Sequence, residues 1–163
     1  MPPEGLSLHD ERAGWLEGVR LFNDGHFFEA HNAWEEIWHR VTDRRREKFY
    51  RAVIQAAVTL ELLRRGRAVG VRQVYVSCLK LFEGLPETFM GLHIPGFVAK
   101  LRHAIEPVIE DLETRTTRID PTRLFAIELE YDAFADSRNG EAARIERDPA
   151  AGCPETDGAA PPK

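Results

Sequence analysis

Residues 49–63 carry eleven apolar side chains in fifteen positions, so a helix over this stretch is hydrophobic nearly all round. Such a helix has to be covered on every side. A bilayer cannot do the covering, because a spanning helix needs ~20 consecutive apolar residues and no run in this chain approaches that length. Neighbouring segments must therefore supply amphipathic helices that pack around a central third one.

The flanking sequence has that character. Ser7 and Asp10 stand where an N-cap and its partner would stand, ahead of Trp15, Leu16, Val19 and Phe22 at helical spacing, and Asn23-Asp24-Gly25 ends that helix. The spacing predicts a second helix from His26 to Val41, a third from Arg44 to Arg65 stopped by Gly66, and a fourth from Val69 to Phe82. Gly84 to Gly96, with Pro86 and Pro95, reads as a loop. A fifth helix follows from Phe97 to Leu112, interrupted or kinked at Pro107, and the helix count, five or six, depends on whether Pro121 to Glu130 forms a short sixth. No stretch sustains the alternation of a half-buried strand. The expected fold is all-α, a bundle of five or six helices made of two antiparallel hairpins plus a capping helix, in a single domain over residues 7–135. Residues 136–163 are expected to form an extended or disordered tail, since four prolines and two glycines fall in the last sixteen positions with almost no large apolar side chain.

Composition excludes several classes of function. With 43% hydrophobic and 30% charged residues among 163, the chain is neither a disordered polymer nor a membrane protein. The start, Met1-Pro2-Pro3-Glu4, lacks the basic and apolar regions of a secretory signal, which points to the cytoplasm. Cys78 and Cys153 are too few and too far apart for a disulfide framework or a cysteine metal knuckle. The net charge is −5, yet residues 40–72 hold ten Lys/Arg against three Asp/Glu. Arg44, Arg45, Arg46 and Lys48 lie in the first turns of the third helix, where the helix dipole disfavours cations. The plain reading is a solvated basic end. A phosphate or RNA contact through these residues with Arg64 and Arg65 is the alternative, held down by the acidic total and the absence of a nucleic-acid motif.

The most informative stretch runs from Phe22 to Arg40. At ~100° per residue, Phe27, Trp34, Trp38 and Val41 share one direction, Ala30 and Ile37 widen that arc, and His31 falls inside it. Glu35 lies just beyond, bracketed on its far side by Phe28. On the third helix Tyr50, Gln55 and Glu61 are likewise polar groups in apolar company. Buried polar groups without partners cost ~1–3 kcal/mol, so polar residues on core-facing surfaces should find one another. His31, Glu35, Tyr50, Gln55 and Glu61 are therefore expected to contribute to one interhelical polar pocket, with Gln55 on a different side of its helix from Glu61.

The pattern Phe22-Asn23-x-Gly25-x-Phe27-Phe28-Glu29-Ala30-His31-x-x-Trp34-Glu35-x-x-Trp38 resembles the signature of the domain of unknown function 309 family. Ile54-Gln55-Ala56-Ala57 and Arg64-Arg65-Gly66 resemble its second block, so the likeness covers roughly residues 12–85. It implies an all-helical fold in which His31, Glu35, Trp38 and Gln55 occupy signature positions, and it implies no activity. Members often carry a histidine late in the third helix, whereas Thr59-Leu60-Glu61-Leu62 has none.

Two kinds of function follow. In the first, His31 and Glu35, with Glu61 standing in for a second histidine, bind a divalent metal or a small polar ligand, or serve as a base and its orienting partner. His39 is a further candidate group. In the second, His31 and Glu35 are a structural hydrogen-bonded pair in an interaction module that offers a groove to a protein partner. The spacing Gly25, Phe27, Ala30, Trp34, Ile37 recurs 41 residues later as Gly66, Ala68, Val71, Tyr75, Cys78, in the manner of helical-hairpin repeats.

Overall fold

The structure, a computed structural model, describes residues 5–135. The expected tail over 136–163 lies outside them. The elements are helices α1 (Leu8–Asn23), α2 (Phe27–Trp38), α3 (Arg44–Arg64) and α4 (Ala68–Phe82), strands β1 (Thr88–Phe89) and β2 (Leu92–His93), helix α5 (Ile94–Glu110), and a single 3-10 turn at Pro121–Arg123. Five helices and one two-residue-per-strand hairpin make the protein a helical bundle, as the periodicity predicts. None of the helices is long and apolar enough to cross a membrane, among the described residues. The described residues fall into two compact units: 5–87 with Ile94–Ile127, and Thr88–His93 with 128–135.

In the first unit α1 pairs with α2 and α3 with α4, while α3 also packs on α2 and touches α5. The helix that is apolar nearly all round is thus the one with most neighbours. Its start is capped by Asp43, whose side chain accepts the Arg46 N–H at 2.9 Å. The Ser7 side chain caps α1 by accepting the Asp10 N–H at 3.0 Å. The core between α1, α2 and α3 is aromatic. Trp15 stacks on Trp34 with centroids 5.5 Å apart, and Phe49 and Tyr50 meet Trp15 edge-on at 5.3 and 5.9 Å. The Trp34 indole donates to the Trp15 carbonyl at 3.1 Å, and it lies where a Cβ on Gly18 would be.

Several boundaries depart from the periodicity. Helix α2 ends at Trp38 rather than Val41, leaving four residues to reach the Asp43 cap. Helix α5 begins at Ile94 rather than Phe97, because Pro95 sits in its first turn, where a missing N–H costs nothing. The helix runs through Pro107, as expected, and ends at Glu110 rather than Leu112. The His103 carbonyl that a residue-107 N–H would have engaged accepts instead from Arg123 at 2.8 Å. Arg72 of α4 closes the end of α5, donating to the carbonyls of Val108 at 3.0 Å and Thr114 at 2.9 Å.

Of the two helix counts it is five that holds among the described residues, since no sixth helix forms over Pro121–Glu130. Only the Asp120-capped turn is helical, after which the chain extends with Phe125 against Phe22 and Phe97, each at 5.6 Å. Asn23 fixes this strap by donating to the Ile127 carbonyl at 3.0 Å and accepting the Ile127 N–H at 2.6 Å. Asn23→Ala is expected to lower stability by ~1–3 kcal/mol, since two net hydrogen bonds are lost in a part-buried site. Urea denaturation would check this, and an unchanged midpoint would mean that Phe125 alone holds the strap.

The second unit contains the hairpin, with Thr88 opposite His93 and Phe89 opposite Leu92. Met90 and Gly91 both take positive φ, 56° and 80°, as a two-residue hairpin turn requires. A side chain at Gly91 would overlap the Tyr131 carbonyl, so glycine is needed there on two counts.

Candidate functional site

Helices α2 and α3 lie antiparallel, the start of α2 facing the end of α3. Phe28 and His31 share a face of α2, and Val58, Glu61, Leu62 and Arg65 recur at helical spacing on one face of α3. These six side chains line a cleft of about 260 Å³. Its walls are mostly apolar, and Phe28 is 46% exposed at its edge. The Arg65 guanidinium lies 5.7 Å over the Phe28 ring, a cation–π arrangement.

The polar groups of the cleft are unequally satisfied. Glu61 is buried, and both its oxygens are occupied: Arg64 Nε donates to Oε1 at 3.0 Å, another Arg64 nitrogen donates to Oε2, and Arg65 Nε reaches Oε2 at 2.6 Å. Burial pushes its pKa up, but hydrogen bonds from the two guanidiniums outweigh this and hold it below the usual carboxylate range. His31 is different. Its Nε2 stands 3.8 Å from Glu35 Oε2, beyond hydrogen-bond reach, and its buried Nδ1 has no partner among the described residues.

Of the five residues expected to form one pocket, the fold brings His31 and Glu61 to the cleft, while Glu35 is not among its lining residues. Tyr50 is elsewhere. Its hydroxyl donates at 2.8 Å to Glu11 of α1, a carboxylate 1% exposed that also receives Arg46 Nε at 2.9 Å and a second Arg46 nitrogen at 3.1 Å. Burial, reinforced by the Glu11 charge, raises the Tyr50 phenol far above its ordinary range. Gln55 does not line the cleft, and its carbonyl accepts the Thr59 hydroxyl at 2.8 Å. The expected metal ligands His31, Glu35 and Glu61 do not assemble into a site: no group of three or more His, Cys, Asp or Glu among the described residues is placed to hold an ion. The reason is the pairing of Glu61 with two arginines.

The basic run is also accounted for in part. Arg46 sits on Glu11, Lys48 donates to the Glu83 carbonyl, and Arg64 and Arg65 share Glu61. Trp38, expected in the core, is half-buried and donates to Glu47 at 2.6 Å. Cys78 is buried as its place on the α4 stripe predicts, and burial pushes its thiol up to about 12. Glu11 escaped the sequence reading, although its spacing from Trp15, Gly18 and Phe22 places it on the buried stripe of α1.

Fold and cleft together define a small helical-hairpin bundle with a fragment-sized, largely apolar cleft between its second and third helices. Residues 15–74 match the family model described as Domain of unknown function (DUF309), which bears out the resemblance of the signature. The whole cleft lies inside that segment. An "Uncharacterized protein" of Aquifex aeolicus (strain VF5) is 27% identical over 100 residues, covering 61% of this chain. The match spans only 30% of that relative's length.

Proposed function

We propose that the chain binds a small ligand in the cleft between α2 and α3. The observation that carries this reading is the convergence of His31, Glu61 and Arg65 on a concave surface walled by Phe28, Val58 and Leu62, the usual make-up of a small-molecule site. The unpartnered Nδ1 of His31 supports it, since a buried polar atom without a partner calls for an explanation. The free thiol of Cys78 is in keeping with a reducing compartment, the cytoplasm.

A fragment screen followed by NMR, reading the methyl groups of Val58 and Leu62, tests the proposal. Hits should perturb these methyls and should be lost in a folded Val58→Phe variant, whose larger ring fills the cleft. Hits that survive the filled cleft, or an empty screen, would overturn the reading. The hairpin interaction module would then be left, with His31→Ala lowering stability and no ligand involved.

A further inference from the structure

The charge around the cleft says which ligands it suits. We propose, resting on the pocket reading above, that its ligand is a small organic anion with an apolar body, whose anionic group is taken by Arg65.

Two guanidiniums share the single carboxylate of Glu61 beside an otherwise apolar cleft, while Glu29 acts on Arg64 and Glu35 stands by His31, so it is the placement of Arg65 and not a net charge that selects the ligand. The two arginines are not equivalent. Arg64 engages both oxygens of Glu61, so it can keep that buried carboxylate paired by itself. Arg65 reaches only one oxygen, already shared, and its side chain is 52% exposed. Arg65 can therefore turn from Glu61 to an incoming anion without stranding a buried charge, a step that would otherwise be costly. Its guanidinium already lies over the Phe28 ring, so an anion bound there would have its body beside Phe28, Val58 and Leu62. A cleft of about 260 Å³ falls below the ~300–1,000 Å³ of drug-sized pockets. A single ring or a short branched chain is the body that fits. A cationic ligand would face the Arg65 guanidinium, and a neutral one would forgo the charge-assisted hydrogen bonds that a guanidinium offers.

The test uses a matched set of probes on the full chain: phenylacetate, phenylphosphonate, phenylacetamide and phenethylamine, with acetate and inorganic phosphate as anions lacking the body. NMR titration would follow the Arg65 Nε–H and the Phe28 ring. Phenylacetate or phenylphosphonate should bind at least tenfold more tightly than phenylacetamide, and whichever of the two is preferred separates a carboxylate from a phosphorus-centred ligand. Arg65→Gln should abolish the preference for anion over amide. Glu61→Gln, which releases Arg65, should strengthen anion binding several-fold, a gain that a merely structural ion pair would not give. Equal binding of amide and anion, or a preference that survives Arg65→Gln, would overturn the ligand class and leave the pocket standing. Acetate or phosphate binding as tightly as the ring-bearing probes would also overturn it. If none of the four ring probes perturbs the cleft, the pocket reading itself fails.

Discussion

Gly18→Ala is expected to destabilise the protein by ~3 kcal/mol or more, the reverse of what the substitution does in an ordinary helix. In an exposed helix interior alanine is favoured over glycine by about 1 kcal/mol. Here the added Cβ would overlap the Trp34 indole, with the nearest approach at Nε1. Trp34 is fully buried, stacked on Trp15 and hydrogen-bonded to its carbonyl. It has no free direction in which to move. Overpacking typically costs ~1–3 kcal/mol, and loss of the indole hydrogen bond in a dry environment adds ~1–3 more. Gly14 provides the control. A Cβ there overlaps only the Cγ2 methyl of Ile37, held on a branched Cβ that is stiff in a helix, so Gly14→Ala should also destabilise, by ~1–3 kcal/mol, but with no hydrogen bond lost. Thermal or urea unfolding of the two variants would show the difference. Equal effects would mean that the Trp34 contact does not set the approach of α1 to α2.

The second large effect is expected at Glu11. Its carboxylate accepts from Arg46 twice and from Tyr50 once, inside the aromatic core. Removing one member of a buried charged pair commonly costs ~3–5 kcal/mol. Arg46 is 29% exposed and can turn toward water or Asp43, so Glu11→Leu should fall near the lower end, at about 3 kcal/mol. Most of that would come from the Tyr50 hydroxyl left without an acceptor. Tyr50→Phe alone should cost about 1 kcal/mol, and the double variant should cost less than the sum of the singles. The pH dependence has a definite sign. The folded-state pKa of Tyr50 lies above the unfolded value of about 10, so its contribution is complete below that pH and declines as pH rises beyond it. Tyr50→Phe should flatten stability in that alkaline range. An unchanged alkaline slope would mean that other groups govern it.

Where a single helix decided the outcome, the sequence was a good guide. The cap at Ser7, the central place of α3 and the burial of Cys78 follow from spacing and capping chemistry within one element. Pairings between elements were much less legible. Tyr50 and Glu61 were correctly read as polar groups in the core, but each found a partner outside the expected cluster: Glu11 on α1 for one, Arg64 and Arg65 on its own helix for the other. Which polar group meets which depends on helix rotation and register, and a wheel drawn for two helices omits the third. That the sixth helix stayed open has a different cause. Phe125 and Ile127, two apart, suit an extended segment as well as the end of a short helix, and the contacts of Phe22, Phe97 and Asn23 decide in favour of extension. Pro95 was read as a breaker, but its position in a first turn makes it compatible with a helix start.

The bonds between Asn23 and Ile127 join residues 104 apart, whereas α1 with α2, and α3 with α4, meet across connections of a few residues. Closing so long a loop is entropically the more demanding event, so the hairpins should assemble first and the strap should dock late. Asn23 would then be silent in the folding transition state: Asn23→Ala should leave the refolding rate near that of the wild type and speed unfolding by nearly the full equilibrium loss. The amide is then a kinetic latch, slowing the opening of a bundle that is already built.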